Sequence, residues 1–283
     1  MITCNLMGGL GNQLFQIFAT IAYGIKSKNQ FKFSNVTQLG GGSTTIRNTF
    51  WATFLSKLHP FLISDTEFPK NITIIKENGF PFNNFPIVSF INKDIMLQGY
   101  FQSYKYFQQY YGVICKIIGL DKMKDDLLEK LDITNDYLAT CISIHFRIGD
   151  YKKIQQYHPL ATYEYYESAL NHIKNIDSTH FNVLYFCEEV DINDVLVTIN
   201  KLIEQFPEYK FVRGDNLIED WEQMLLMSCC HHNIIANSSF SWWSAYFNFH
   251  KDKIICYPSV WFGEIANNDT RDLCPIEWTK INV

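Results

Sequence analysis

No apolar stretch in this 283-residue sequence reaches the roughly 18 residues that a membrane span needs. The N-terminus also has no basic segment followed by an apolar core, so neither a secretory leader nor a membrane anchor is expected, and a cytoplasmic protein is. Cys-x-x-Cys pairs are missing too. The eight cysteines, Cys4, Cys115, Cys141, Cys187, Cys229, Cys230, Cys256 and Cys274, lie mostly inside apolar runs, which points to reduced, buried thiols rather than a disulfide framework or a zinc site. The eight histidines show no His-x-x-x-His spacing, and His231 and His232 are adjacent, so no zinc motif is readable. A net charge of −5 leaves no basic footprint; nucleic acid is not an expected partner, and any phosphate site must be local. Four motifs are also lacking. There is no Gly-x-x-x-x-Gly-Lys-Ser/Thr, no Gly-x-Ser-x-Gly and no strict Asp-x-Asp, and the dinucleotide fingerprint fails because Leu14 stands where a third glycine is needed.

What is present favours a folded chain of two lobes. Hydrophobic residues make up 47% and aromatics 16% of the chain, enough for a large core, and its length suits two domains better than one. We expect an N-terminal lobe over residues 1–136 and a C-terminal lobe over 137–283, joined at the polar stretch Asp132 to Asp136. In the first lobe, Ile2 to Leu6, Phe31 to Phe33 and Ile95 to Phe101 read as strands, with a turn at Gly40-Gly41-Gly42-Ser43. The Phe-, Pro- and Asn-rich segment Phe61 to Ile91 reads as loops and short strands. In the second lobe, strands at Leu138 to Ile144, Phe181 to Cys187, Lys210 to Arg213, Ile234 to Ala236 and Lys253 to Tyr257 alternate with helices at Thr162 to Lys174, Ile192 to Phe206, Trp221 to His231 and Phe240 to Phe249. That alternation predicts an α/β fold whose parallel sheet is covered on both faces.

The stretch Met7-Gly8-Gly9-Leu10-Gly11-Asn12-Gln13-Leu14-Phe15-Gln16 follows the first strand and opens a helix carrying Leu14, Phe18 and Ile25. Glycines let backbone N–H groups approach a ligand closely, and a helix N-terminus favours an anion. A glycine turn that merely joins strand to helix satisfies the same pattern.

Ligands of parallel sheets collect at the carboxyl ends of strands, and these ends are polar here. His145-Phe146-Arg147-Ile148-Gly149-Asp150-Tyr151 puts an imidazole and a guanidinium on the same side of a strand end. The guanidinium fork suits phosphate oxygens. Asp150 could orient Arg147 or fix the tautomer of His145; a structural Arg–Asp ion pair is the alternative. Glu188 or Glu189, after the next strand, could accept hydrogen bonds from a ribose, or form a solvated acidic turn. Asn237-Ser238-Ser239-Phe240-Ser241-Trp242-Trp243 puts hydroxyls on the first turn of a helix, as an anion site or as plain caps. Without Asp-x-Asp, charge neutralisation falls to Arg147 and to helix N-termini.

Through Gly8-Gly9-Leu10-Gly11-Asn12-Gln13, Gly99-Tyr100-Phe101-Gln102-Ser103, the His145 to Tyr151 block, Asn233 to Ala245, and Tyr257-Pro258 with Trp261-Phe262, the chain resembles the family 11 glycosyltransferases, the α-1,2-fucosyltransferases, along most of its length. The resemblance implies a GT-B-like architecture of two Rossmann-like lobes whose parallel sheets face a cleft. It implies GDP-fucose as donor, a glycan acceptor reacting through a hydroxyl such as galactose O2, inversion at the anomeric carbon, and neither metal nor other cofactor. Arg147 would grip the β-phosphate, His145 would lie near the nucleotide, and Ser238, Ser239 and Phe240 would line the diphosphate and base pocket. Asn12, with Gly9, Gly11 and Gln13, would reach the phosphates from the opposite lobe and face Arg147 across the cleft. Arg147, Asp150 and Asn12 are the catalytic candidates, and Glu188 and Asn237 join the donor set. Two positions depart from the family pattern: Ile148 stands where a second arginine is usual, and Gln223 where a carboxylate reads the N–H edge of guanine, a task open to Glu222. The lack of an N-terminal anchor resembles bacterial or viral members. Competing expectations are a same-fold transferase of another nucleotide sugar and a non-catalytic sugar- or nucleotide-binding protein.

Overall fold

The structure, a computed structural model, describes residues 1–41, 45–86, 93–214, 217–266 and 268–282. The chain divides into two compact units, Met1–Met123 with Asn268–Pro275, and Lys124–Asn267 with Ile276–Val283.

In the first unit, β1 (Ile2–Cys4) leads into α1 (Leu10–Ser27). Four two-residue strands follow, β2 (Phe33–Ser34), β3 (Gln38–Leu39), β4 (Arg47–Asn48) and β5 (Leu62–Ile63); β2 pairs β5 in parallel and β3 pairs β4 antiparallel. Then β6 (Ile72–Lys76) and β7 (Asp94–Gln98) complete a parallel sheet of order β1-β7-β6. The β-branched run Ile72-Thr73-Ile74-Ile75 makes β6 the one full strand among the described residues of the segment read as loops and short strands, paired with β7 along its whole length. Residues 87–91 of that segment, and Gly42 and Ser43 of the predicted turn, lie outside the described residues. Helix α1 buries nearly every side chain from Leu10 to Tyr23; Phe15 and Phe18 meet Phe107 with ring centroids 6.0 and 5.5 Å apart. Burying side chains of this size stabilises by about 1.5–3 kcal/mol each. Next come α2 (Tyr111–Ile118), closed by Gly119 at φ 72°, and α3 (Leu120–Leu131).

The division between the units falls within α3, not at residue 136. The polar stretch expected to be the linker belongs to the second unit, where Thr134 caps α4 (Asn135–Leu138) by accepting from the Tyr137 N–H at 3.2 Å. Leu138 therefore closes a helix, and the strand predicted from Leu138 starts three residues later. The rest of the unit runs β8 (Cys141–His145), α5 (Tyr163–Ile176), β9 (Asn182–Phe186), α6 (Ile192–Gln205), β10 (Lys210–Arg213), α7 (Asp220–Cys229), β11 (His232–Ile234), α8 (Ser239–Tyr246), β12 (Ile255–Pro258) and β13 (Thr279–Ile281). The last of these was not anticipated.

All six strands of this unit are parallel, in the order β10-β9-β8-β11-β12-β13. The chain builds outward from β8 to β10, returns to the middle, and builds the other way from β11 to β13. This is the Rossmann order, and its switch point lies between β8 and β11. Alternating residues of β8 and β9, such as Ile142, Ile144 and Val183, meet Tyr165, Leu170, Ile199 and Leu202 from α5 and α6 in the core. Both units are α/β with parallel sheets, as a GT-B-like chain of two Rossmann-like lobes requires. Among the described residues no helix is long and apolar enough to cross a membrane. The eight cysteines are thiols, and burial pushes Cys4 and Cys256 up to about 12, which leaves them unreactive.

Candidate functional site

In the first unit the glycine-rich loop is built for close backbone approach. Gly8 sits at φ 77°, which favours glycine, and a Cβ there would lie 2.6 Å from Asn12 Nδ2 and push that amide aside. Gly9 precedes α1 in extended backbone, with no side-chain cap and no acidic residue in the first helical turn, which also holds the buried Gly11. Gln13, expected among the donor contacts, is fully buried and works on the scaffold. Its Nε2 donates to the carbonyls of Gly8 and Asn48 at 3.0 and 2.9 Å, and its Oε1 is buried without a hydrogen-bond partner. Gln16, not singled out in the sequence, accepts from the Met7 N–H at 2.8 Å and donates to the Met7 and Asn12 carbonyls at 2.9 and 3.0 Å.

The carboxamide oxygen of Asn12 accepts from Gln102 Nε2 at 2.7 Å. Gln102 is delivered by a turn that Glu77 pins, its carboxylate accepting from the N–H groups of Tyr100 and Phe101 at 2.7 and 2.9 Å. Gly99 has no room for a Cβ beside Glu77, and Phe101 is held at φ 53°, a left-handed position that costs an aromatic residue energy. The two motif runs of this unit thus meet in the Asn12–Gln102 pair.

In the second unit the candidates gather at the switch point. Arg147 follows β8, and its two terminal nitrogens are bonded to the carboxylates of Asp150 and Glu188. Its guanidinium carbon lies 4.9 Å from the centre of the Tyr151 ring. Burial by itself would lower the Arg147 pKa, and the two carboxylates together hold it above its ordinary value. Asp150 orients Arg147 rather than His145, whose buried Nδ1 has no hydrogen-bond partner. Burial, and then the charge of Arg147, push His145 down to about 3, so its imidazole is neutral at pH 7. The His145 ring faces Phe240 with centroids 5.4 Å apart.

After β11, Ser238 is the N-cap of α8, accepting from the Phe240 N–H at 3.3 Å, and Ser239 opens the helix. Asn237 Nδ2 donates to the carbonyls of Pro159 and Trp261 at 2.8 and 3.1 Å, and its Oδ1 is buried without a partner. The Tyr151 hydroxyl donates to the Asn237 carbonyl at 3.3 Å. Segments following β8, β11 and β12 are thereby tied together.

His158 belongs to this cluster and was missed, because a lone histidine in a polar segment offers no spacing. Its ring stacks on Tyr151 at 4.6 Å and lies 5.5 Å from Phe262. Burial lowers its pKa, with Asp150 opposing. The two candidates on α7 are placed differently. Glu222 closes a capping box with Glu219 and receives Lys130 Nζ at 2.6 Å, so its carboxylate is already committed. Gln223 donates to the Ile218 carbonyl at 3.3 Å.

The fold also brings ligand atoms of Asp177, His231 and His232 within 4.8 Å of one another. His232 Nδ1 accepts from the Ile254 N–H at 3.0 Å, which leaves its one proton on Nε2, facing Asp177 at 3.3 Å. That nitrogen donates to the carboxylate and is no metal ligand in this tautomer.

His145 and His232, the latter pushed down to about 4 mainly by burial, make a pH prediction. Their folded pKa values lie below the ordinary 6.5. Above that pH neither state takes up the proton and their contribution to stability is complete. Between 6.5 and about 4 the unfolded chain protonates first, and each histidine removes up to about 1.4 kcal/mol per pH unit. The urea midpoint is expected to fall over this range, and His232→Asn to fall less steeply; equal slopes would show that His232 protonates in the folded chain.

A family model described as glycosyl transferase family 11 matches residues 70–282. The chain belongs to this family. As a family 11 glycosyltransferase it is 27% identical to an alpha-1,2-colitosyltransferase of Escherichia coli over 99% of both chains. It is 25% identical to the O-antigen biosynthesis glycosyltransferase WbnK of Escherichia coli, over 99% of this chain and all of the relative. Among solved structures, an arginine-to-lysine mutant of Arabidopsis thaliana FUT1 in complex with GDP aligns at 9% identity and a TM-score of 0.48, covering 90% of this chain and 69% of that one. The family match takes in the switch-point residues of this glycosyltransferase and the Gly99 to Ser103 turn. It starts after the glycine-rich loop, which the two full-length relatives span.

Proposed function

We propose that this glycosyltransferase moves L-fucose from GDP-fucose to a hydroxyl of a glycan acceptor, galactose O2 in the first instance, with inversion and without a metal ion. The observation that carries the reading is the cluster at the β8/β11 switch point, where the Arg147 fork, the neutral His145 and the start of α8 lie at the edge that binds nucleotides in sheets of this order. As the bond between the sugar and GDP breaks, negative charge grows on the β-phosphate. Arg147 and backbone N–H groups at the start of α8 are the donors we assign to it, and fixed donors stabilise that charge more in the transition state than in the bound donor. Gln223, with Glu222 committed elsewhere, is the group we assign to the guanine edge.

A colitosyl residue is the second reading, favoured by the full-length alpha-1,2-colitosyltransferase relative. It keeps the α-1,2 linkage and changes the sugar. Incubating the protein with GDP-fucose, GDP-colitose and a panel of UDP-, TDP- and CMP-linked sugars, with galactose-terminated acceptors, separates the readings by nucleotide release and product mass. Release from GDP-fucose is expected; release from GDP-colitose alone selects the second reading, and release only from a donor without GDP sinks both.

A further inference from the structure

We infer that Glu188 competes with the donor's phosphates for Arg147, and that by re-engaging the fork it helps expel the spent nucleoside diphosphate. The inference rests on the reading of Arg147 as the phosphate ligand. Both prongs of the fork are occupied by carboxylates, Asp150 on one nitrogen and Glu188 on the other. One cation with two anions is a centre of net charge −1, which repels a diphosphate. Bidentate binding of phosphate oxygens therefore requires at least one carboxylate to leave.

Glu188 is the one that leaves. Asp150 sits three residues from Arg147 on the same turn, whereas Glu188 reaches over from the segment after β9; the two side chains are equally exposed, at 52% and 55%, so it is this longer reach that makes Glu188 the easier one to release. Water can solvate it once released. The contact is also built in. Gly149, at φ 29°, lies against both partners, a Cβ there standing 3.3 Å from Glu188 Oε1 and 3.5 Å from Arg147 Nη1, so the turn packs directly on the pair. A carboxylate on a guanidinium imitates a phosphate oxygen in charge and geometry, which lets the exchange proceed one hydrogen bond at a time.

A ribose-binding role for Glu188 predicts the opposite sign, which makes the test decisive. GDP and inorganic pyrophosphate are titrated separately into the wild type, Glu188→Gln, and Asp194→Asn, which removes an equally exposed carboxylate paired with Lys152. Matched thermal unfolding verifies that all three are folded. Glu188→Gln is expected to bind both probes about fivefold tighter, the size of an exposed ion pair, with Asp194→Asn unchanged. In turnover, Glu188→Gln should show a lower donor KM, a lower kcat and stronger inhibition by GDP. Weaker GDP binding with unchanged pyrophosphate binding assigns Glu188 to the nucleoside and overturns the inference. Unchanged affinity overturns it, and so does equal tightening in Asp194→Asn. If the wild type binds neither probe, the phosphate role of Arg147 falls first and this inference with it.

Discussion

Arg147→Lys is expected to lower kcat by about a hundredfold, about 3 kcal/mol of transition-state stabilisation. Lysine keeps the charge and loses the planar fork, so it separates the two. A point charge still attracts a diphosphate, and donor KM should rise only modestly. What disappears is the paired alignment of two N–H donors on the oxygens that gain charge as the glycosyl bond breaks. Ile148 beside it carries no charge and offers no substitute, so the loss should be undiluted. Lysine also cannot hold Asp150 and Glu188 at once through two separate prongs, and the carboxylates left behind would add repulsion. Steady-state kinetics with the accepted donor decides it: near-normal kcat would remove Arg147 from the chemistry.

The second large effect is on the fold around the site. Gly263→Ala is expected to cost about 3 kcal/mol in urea unfolding and to reduce donor affinity with it. A Cβ at 263 would run into the Gln156 carbonyl, which is backbone and has no rotamer to change. The Gly263 N–H also donates to the Tyr157 carbonyl at 2.9 Å. Pushing this contact apart displaces the segment carrying His158 and Pro159, and through Pro159 the amide of Asn237. Gly9→Ala is the contrast. A Cβ at Gly9 meets nothing within 4 Å, and its φ of −77° suits any residue, so its stability should stay within about 0.5 kcal/mol of the wild type. Equal losses in the two variants would show that the contact at Gly263 relaxes cheaply.

Gly263 also marks the limit of what the sequence discloses. The second unit was legible almost element by element, because its strands are short apolar runs and its helices have clear periodicity; Lys210 to Arg213 was placed to the residue. The grouping of Arg147, Asp150, Glu188 and Asn237 followed from reading strand ends in a parallel sheet. What stayed hidden depends on contacts distant in sequence. The apolar run of β6 was masked by its Phe- and Asn-rich surroundings, and β13 is three residues long. Glu222 resembled a spare carboxylate because glutamate is an unusual N-cap, and the capping box with Glu219 carries no Ser or Thr to announce it. Gly214 and Gly263 read as ordinary loop glycines until the groups pressing on them, the Phe186 ring and the Gln156 carbonyl, are known.

The return of Asn268–Pro275 to the first unit bears on how the chain is made. Within that unit, Asp272 accepts from the Phe82 N–H at 3.1 Å and from the Ser103 hydroxyl at 2.6 Å, and pairs with Lys105. Proteins emerge from the ribosome N-terminus first, and leading domains commonly close before later ones appear. Here the unit that starts first waits for a residue made after most of the second unit. Until Asp272 emerges, the turn that carries Gln102 toward Asn12 lacks one of its anchors. A ribosome stalled between residues 124 and 267 would therefore present an unfinished first unit to chaperones and proteases, and removing residues 268–275 would damage the unit built mainly from residues 1–123.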